Sequence, residues 1–449
     1  MSHFIGIDVG SSFIKVAVMD PDQVALRQTA RVPFPEFAGG LPPLWREADP
    51  RAVVAAVEAA LARLEPPASP CEGLLLCGQM HGFVLVDAHG EAVSNYISWL
   101  DQRVSPAEFD EMAALVTAKE RRELGNEFRA SIALALLWWL RRHGALPAGE
   151  LTPVSIADFV AARLGEARPA MEPTQAAAFG ALRLDALRWH PEVIGKLGLE
   201  ALRWPEVRPT GSAAGTWRGA PCYLAVGDQQ CALAGALLDA GELSVNIGTG
   251  SQVALPTDSP APDGYQVRPY FDGRFLRTIT HIPGGRALSA LVGLVTELGG
   301  GNEAEAWRRI DAAVARVPAT DLRASIAFFP GPCGGRGYLE NLHEGNLTIG
   351  HLFRAVFESM AWNYETCAHR LEPDRAATRA VFSGGVARHA ALLRELTAAA
   401  LGCPYRLSPD PEDTLIGLLV LGLAFSGRYG SVRAAARAVG ESFKRLPAA

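Results

Sequence analysis

The chain has 449 residues, of which 49% are hydrophobic and 20% charged, and its formal net charge is −6. This allows two or three domains with sizeable cores, and the mildly acidic balance gives no general pull toward nucleic acid or an anionic membrane. No basic segment followed by an apolar one opens the sequence, and apolar runs such as 132–140 are short for a bilayer span, so a soluble, cytoplasmic protein is expected.

In chain order, Phe4-Ile5-Gly6-Ile7-Asp8 reads as an apolar strand ending in an acid. Val9-Gly10-Ser11-Ser12 is a tight turn and Phe13–Met19 a return strand carrying Lys15, a hairpin whose turn is rich in N–H and hydroxyl donors that suit a phosphate. Asp49-Pro50 is an N-cap followed by Pro at the first helical position, opening a helix over 51–64. The strand 73–77 runs into Gly78-Gln79-Met80-His81-Gly82, where Gln79 and His81 either bond to backbone or meet a polar small molecule. Trp99, Asp101 and Arg103 fall in one short turn, as a ligand wall or as a surface ion pair of little energetic value. Asn126-Glu127-Phe128-Arg129 precedes an apolar helix over 131–142.

Midway, Tyr223–Val226 reads as a buried strand, followed by Gly227-Asp228-Gln229-Gln230 and a small-residue helix. Asp228 there is either a helix cap or a carboxylate aimed into a cleft. Glu242–Val253 repeats the opening pattern, an apolar strand, the turn Gly248-Thr249-Gly250 and an apolar return, so a weak internal duplication begins near 239. Pro283-Gly284-Gly285-Arg286 leads into a helix, 328–337 is too rich in Gly and Pro for regular structure, and 347–368 has helical spacing. Ser383-Gly384-Gly385-Val386-Ala387-Arg388 joins a strand to a helix and allows close backbone approach by a flat ligand or phosphate. Pro411-Glu412-Asp413-Thr414 opens a last apolar helix. The seven cysteines (71, 77, 222, 231, 333, 367, 403) are scattered and never form C-x-x-C, which argues against a disulfide framework or zinc site and for a reducing compartment.

Taken in order, these segments resemble the FGGY family of carbohydrate kinases over nearly the whole chain. The resemblance lies in Asp8-Val9-Gly10-Ser11-Ser12 with Lys15, Gly78-Gln79-Met80-His81-Gly82, Trp99-x-Asp101-x-Arg103, Gly227-Asp228-Gln229, Gly248-Thr249-Gly250, and Gly384-Gly385 with Glu412 and Gly417. It implies an α/β fold of two ribonuclease H-like (actin/hexokinase/Hsp70-type) domains flanking a central catalytic cleft, with 1–238 carrying sugar and base and 239–449 the nucleotide. It implies Asp228 as catalytic base and, with Asp8, as a Mg²⁺ ligand. Gln79, Met80, His81, Trp99, Asp101, Glu127 and Gln229 become sugar contacts. Gly10, Ser11, Ser12, Lys15, Gly248, Thr249, Gly250, Gly284, Gly384, Gly385 and Arg388 become ATP contacts. The Gln-Met-His-Gly form is similar to ketose kinases, and 174–180, 246–252 and 346–351 to sedoheptulokinases. The expected activity is therefore transfer of the γ-phosphate of ATP to a terminal ketose hydroxyl, with sedoheptulose foremost and xylulose or another pentulose or polyol as the alternative. A nucleotide-binding sensor on the same fold is the non-enzymatic alternative. A small-molecule sugar is the expected partner, and a homodimer is compatible with the sequence. The chain departs from the family at Ala135, at Arg388 and in the loop Gly331-Pro332-Cys333-Gly334-Gly335-Arg336.

Overall fold

Strand His3–Val9 is buried at every residue, as its near-continuous apolar run requires of a strand covered on both faces. The computed structural model describes residues 2–65, 67–297 and 303–445. His3–Val9 pairs antiparallel with Phe13–Asp20, which pairs antiparallel with Ala25–Pro33. On its other side it pairs in parallel with Cys71–Gly78, which in turn pairs in parallel with Ala220–Tyr223 and Val226–Gly227. Alternate side chains point to opposite faces. Ile5, Ile7 and Val9 join a core with helices Pro50–Leu61 and Ile156–Leu164. Phe4 joins another with helices Asp228–Gly235 and Asp413–Phe425. Asp8 shares the face of Phe4, the one covered by the late helix.

The contacts divide the chain into two units: Met1–Leu237 with Thr257–Leu276 and Glu412–Ala449, and Leu238–Pro256 with Arg277–Pro411. The expected division into 1–238 and 239–449 therefore does not coincide with the packing at two later segments. For the last, the reason is a close helix crossing. A Cβ on Gly417 would stand 2.0 Å from the Cys231 carbonyl oxygen, and one on Gly235 1.8 Å from that of Asp413. The two glycines let helices Asp228–Gly235 and Asp413–Phe425 meet backbone to backbone.

In the second unit Glu242–Ile247 pairs antiparallel with Ser251–Thr257 and in parallel with Arg379–Ser383, which pairs in parallel with Tyr405–Leu407. Each unit thus has a hairpin with a Gly/Ser or Gly/Thr turn and a parallel strand beside its first member, the duplication visible in the sequence. Helix Ile349–Leu371 buries Val356, Met360 and Tyr364 at the four-residue spacing read from the sequence. Among the described residues no helix is long and apolar enough to cross a membrane.

Candidate active site

The parallel register aligns Asp8 with Cys77, and Cys77 with Val226. Asp8, Gln79 and Asp228 consequently emerge at one edge of the first unit's sheet, at the carboxyl ends of its strands, where open α/β sheets bind ligands. Gln175 fixes two of these ends, donating from Nε2 to the carbonyls of Gly78 (3.0 Å) and Val226 (3.2 Å). The Gly227 N–H donates to Thr174 Oγ1 at 2.8 Å. Gly227, not Asp228, is the N-cap, and no side chain caps this helix, so the Asp228 carboxylate is not committed to capping. It lies half-buried, accepts from the Gln229 N–H at 2.7 Å, and is pushed up to about 7 by burial and by the charge of Asp8. Asp8 itself is raised by burial, against the hydrogen bond it accepts from Thr414 Oγ1 at 2.7 Å. Lys15, directly across the hairpin, pairs with Glu412 at 2.6 Å.

A second group centres on Glu127, which is 1% exposed. Its Oε2 accepts from Arg268 Nε at 2.7 Å and its Oε1 from Arg129 Nη2 at 2.8 Å. Burial pushes Glu127 up, but the charges of Arg268 and Arg129 outweigh it and hold the carboxylate well below its usual range. His81 Nε2 faces Arg129 Nη2 at 3.0 Å, Glu127 Oε1 at 3.2 Å and Arg268 Nη2 at 3.3 Å. Burial lowers His81 to about 4, the arginines reinforcing this and Glu127 opposing it, so the ring is neutral near pH 7. His81 has φ of 76°, a backbone conformation that non-glycine residues adopt mainly where surrounding structure enforces it, often at functional sites. Arg268 also donates to Gln229 Oε1, so its fork lies between His81 and Gln229, beside the residue that carries the expected base. Gln79 accepts from Tyr96 OH at 2.9 Å.

Arg268 is the residue that sequence reasoning missed. It reaches Glu127 because Gly125 and Val267 are in backbone contact: Val267 N–H donates to Gly125 O at 2.9 Å, and a Cβ on Gly125, at φ +67°, would stand 2.1 Å from the Val267 oxygen. The sequence signal was faint, one arginine in the otherwise uncharged run Gln266-Val267-Arg268-Pro269.

Asp101 is fully buried and saturated, accepting from the Arg46 N–H (2.7 Å) and from Arg103 N (3.0 Å), Nε (2.8 Å) and Nη2 (2.8 Å). Arg103 is held further by Glu47 at 2.6 Å and lies 3.9 Å from the Trp45 ring centre. The Asp101 turn is thus a structural corner, on which Trp99 sits half-buried. Met80 is buried with its sulfur against Gly227, beneath the Asp228 turn.

In the second unit the turn Gly248-Thr249-Gly250 is open, with Thr249 and Gly250 exposed, as are Ser11 and Ser12 in the first. Its carbonyls are capped by the next helix: Gly285 N–H donates to Gly248 O and Arg286 N–H to Thr249 O, each at 2.8 Å. Gly284 packs against Ser251, so it supports the turn. The double glycine follows strand Arg379–Ser383, with Gly384 capping helix Gly385–His389. Arg388 donates to Ser408 Oγ at 2.7 Å and to the Ser408 and Asp410 carbonyls, which engages it in holding the loop after strand Tyr405–Leu407.

Among the described residues no three or more His, Cys, Asp or Glu side chains gather as a metal cage. The charge of Asp8 raises the cost of ionising Asp228, and burial raises that of both. Such a hard-oxygen pair fits Mg²⁺, which takes one or two carboxylates and completes its shell with water and phosphate oxygens.

Comparison with known proteins gives a consistent picture. The model of the FGGY family of carbohydrate kinases, N-terminal domain, matches residues 3–239, and that of the C-terminal domain matches 299–425. A xylulose kinase of Streptomyces coelicolor is 26% identical over 285 residues, 60% of this chain and 58% of that kinase's length. An autoinducer-2 kinase of Enterobacter sp. is 25% identical over 478 residues, 97% of this chain and 88% of that protein. The structure of Plasmodium falciparum glycerol kinase with ADP superposes with a TM-score of 0.81 at 16% identity, covering 100% of this chain and 93% of that one.

Proposed function

This chain belongs to the FGGY family of carbohydrate kinases, and on that premise we propose that it transfers the γ-phosphate of ATP to a terminal hydroxyl of a ketose, sedoheptulose first and D-xylulose second. Kinases of this family are phosphotransferases acting on sugar hydroxyl groups. The observation that carries the reading is the Asp228 carboxylate at a strand end, not used as a helix cap, with the neutral His81, Gln229 and the Arg268 fork grouped next to it.

In the proposed reaction Asp228 accepts a hydrogen bond from the terminal hydroxyl and takes its proton as the new O–P bond forms. His81, Gln79, Gln229, Glu127 and Arg268 orient the remaining oxygens; a site built to bond each hydroxyl rejects a deoxy analogue because its own groups are left unpaired. The turns at 10–12 and 248–250 supply N–H and hydroxyl donors to phosphates, and Gly384-Gly385 lets the adenine approach the backbone. Asp8 and Asp228 would hold Mg²⁺, which when bound offsets the negative charge of the phosphates.

The test is ADP release from Mg-ATP with sedoheptulose, D-xylulose, D- and L-ribulose, gluconate and glycerol. Turnover concentrated on a ketose, falling about 10²–10⁴-fold in Asp228→Asn with ATP affinity retained, is the expected result. Activity within a few-fold of wild type in that variant removes Asp228 as the base. Selective turnover of gluconate or glycerol removes the ketose assignment.

A further inference from the structure

Loop 331–337, which departs from the family pattern, carries Cys333 to within 3.9 Å of Cys367. The two stand 34 positions apart. Cys333 is held in a tight turn, with Gly331 N–H donating to Gly334 O at 2.9 Å and Gly334 N–H to Gly331 O at 3.1 Å. It is partly exposed, whereas Cys367, on helix Ile349–Leu371, is buried. Cys333 is lowered by the Cys367 hydrogen bond and by the Arg370 charge, against burial, whereas Cys367 is raised. An accessible, acidified thiol beside a buried one is the arrangement of an attacking and a resolving cysteine. Bonding needs the sulfurs to close by about 2 Å, which draws the loop that carries Cys333 toward helix Ile349–Leu371.

The pair adjoins the phosphate turn by two routes. Tyr364, one helical turn before Cys367, has its OH 3.0 Å from Ser251 Oγ and 3.3 Å from Pro283 O. Ser251 directly follows Gly250. At the other end of the loop, Phe329 lies 3.9 Å beneath the Arg286 guanidinium, and the Arg286 N–H caps Thr249. Moving Cys333 onto Cys367 therefore strains both supports of Gly248–Ser251.

We propose that Cys333 and Cys367 form a reversible redox site, which a peroxide oxidises to a disulfide and which thereby lowers nucleotide affinity at the neighbouring turn. The Cys333 thiolate attacks a peroxide oxygen, the O–O bond breaks, and hydroxide leaves to become water, giving Cys333 sulfenic acid. Cys367 then attacks that sulfur, the S–O bond breaks, and the departing hydroxide takes the Cys367 proton as water. The two thiols lose two electrons to one hydrogen peroxide, and two waters form.

The experiment treats the purified full chain with hydrogen peroxide, maps its peptides without reductant, and measures Mg-ATP affinity by calorimetry before and after. Expected are a 333–367 cross-link reversed by dithiothreitol, and ATP binding weakened about fivefold or more and restored with it. Cys333→Ser should keep the affinity of the reduced protein and ignore peroxide, and Cys367→Ser should leave a dimedone-reactive sulfenic acid at Cys333. Oxidation of the partly exposed Cys71 or Cys403 while 333 and 367 stay reduced overturns the site; a cross-link with unchanged ATP affinity overturns the coupling. The affinity arm rests on the nucleotide reading above. If the reduced protein binds no ATP, that reading fails, while the peptide map still judges the pair.

Discussion

Glu127→Gln removes a carboxylate that the buried Arg268 and the half-buried Arg129 both address. Glu127 is 1% exposed and Arg268 3% by side chain, so neither ion is screened by water, whereas Arg129 at 23% is partly hydrated. Removing one partner of a buried pair leaves the other charged and desolvated, at a cost of about 3–5 kcal/mol. Most of that cost falls on Arg268, whose Nε loses a charge-assisted bond of 2.7 Å. Glutamine keeps an oxygen for one arginine, so Glu127→Gln should lie near the lower bound and Glu127→Ala near the upper. Urea unfolding followed by tryptophan fluorescence reads this well, since all tryptophans but Trp307 and Trp362 lie in the first unit. The double variant Glu127→Leu/Arg268→Met removes both charges and should recover much of the loss, because apolar replacement of a whole buried pair is often neutral. A Glu127→Gln protein within about 1 kcal/mol of wild type would refute the claim that this cluster is dry and charged.

Asp101→Asn should destabilise by about 1.5–3 kcal/mol, since Arg103 exchanges one of its two carboxylate partners for a neutral amide and keeps Glu47, yet leave the KM for sugar unchanged; a raised KM at unchanged stability would support Asp101 as a sugar contact. His81 supplies the pH dependence. Its folded value of about 4 lies below the 6.5 of the unfolded chain, so the unfolded state binds the extra proton between them. Its contribution is complete above pH 6.5 and is lost as pH falls through 4, by about 3 kcal/mol at most. Asp8 and Asp228, raised in the folded state, act with the opposite sign, so the readout is the difference in urea midpoints between wild type and His81→Asn across pH 4–7. Asparagine suits the positive φ; parallel profiles for the two proteins would show that His81 titrates normally.

The strand ends were legible because their signals are local. Apolar runs closing on Asp8, Gln79 and Gly227-Asp228 read as buried strands, and parallel pairing then gathers their carboxyl ends at one edge. The same locality leaves the roles of the acids open. Asp101 and Glu127 are both acids next to an arginine two positions on, and nothing in either segment says which one is saturated. Asp101 closes its shell with Arg103, two positions on, and with the Arg46 N–H, 55 positions away. Glu127 recruits Arg268 from 141 residues away, through a backbone contact that depends on Gly125 having no side chain. Whether a charged residue belongs to a corner or to a site is thus decided by what a distant segment brings to it. That is also why two cysteines that looked scattered in the chain meet beside a turn that neither flanks in sequence.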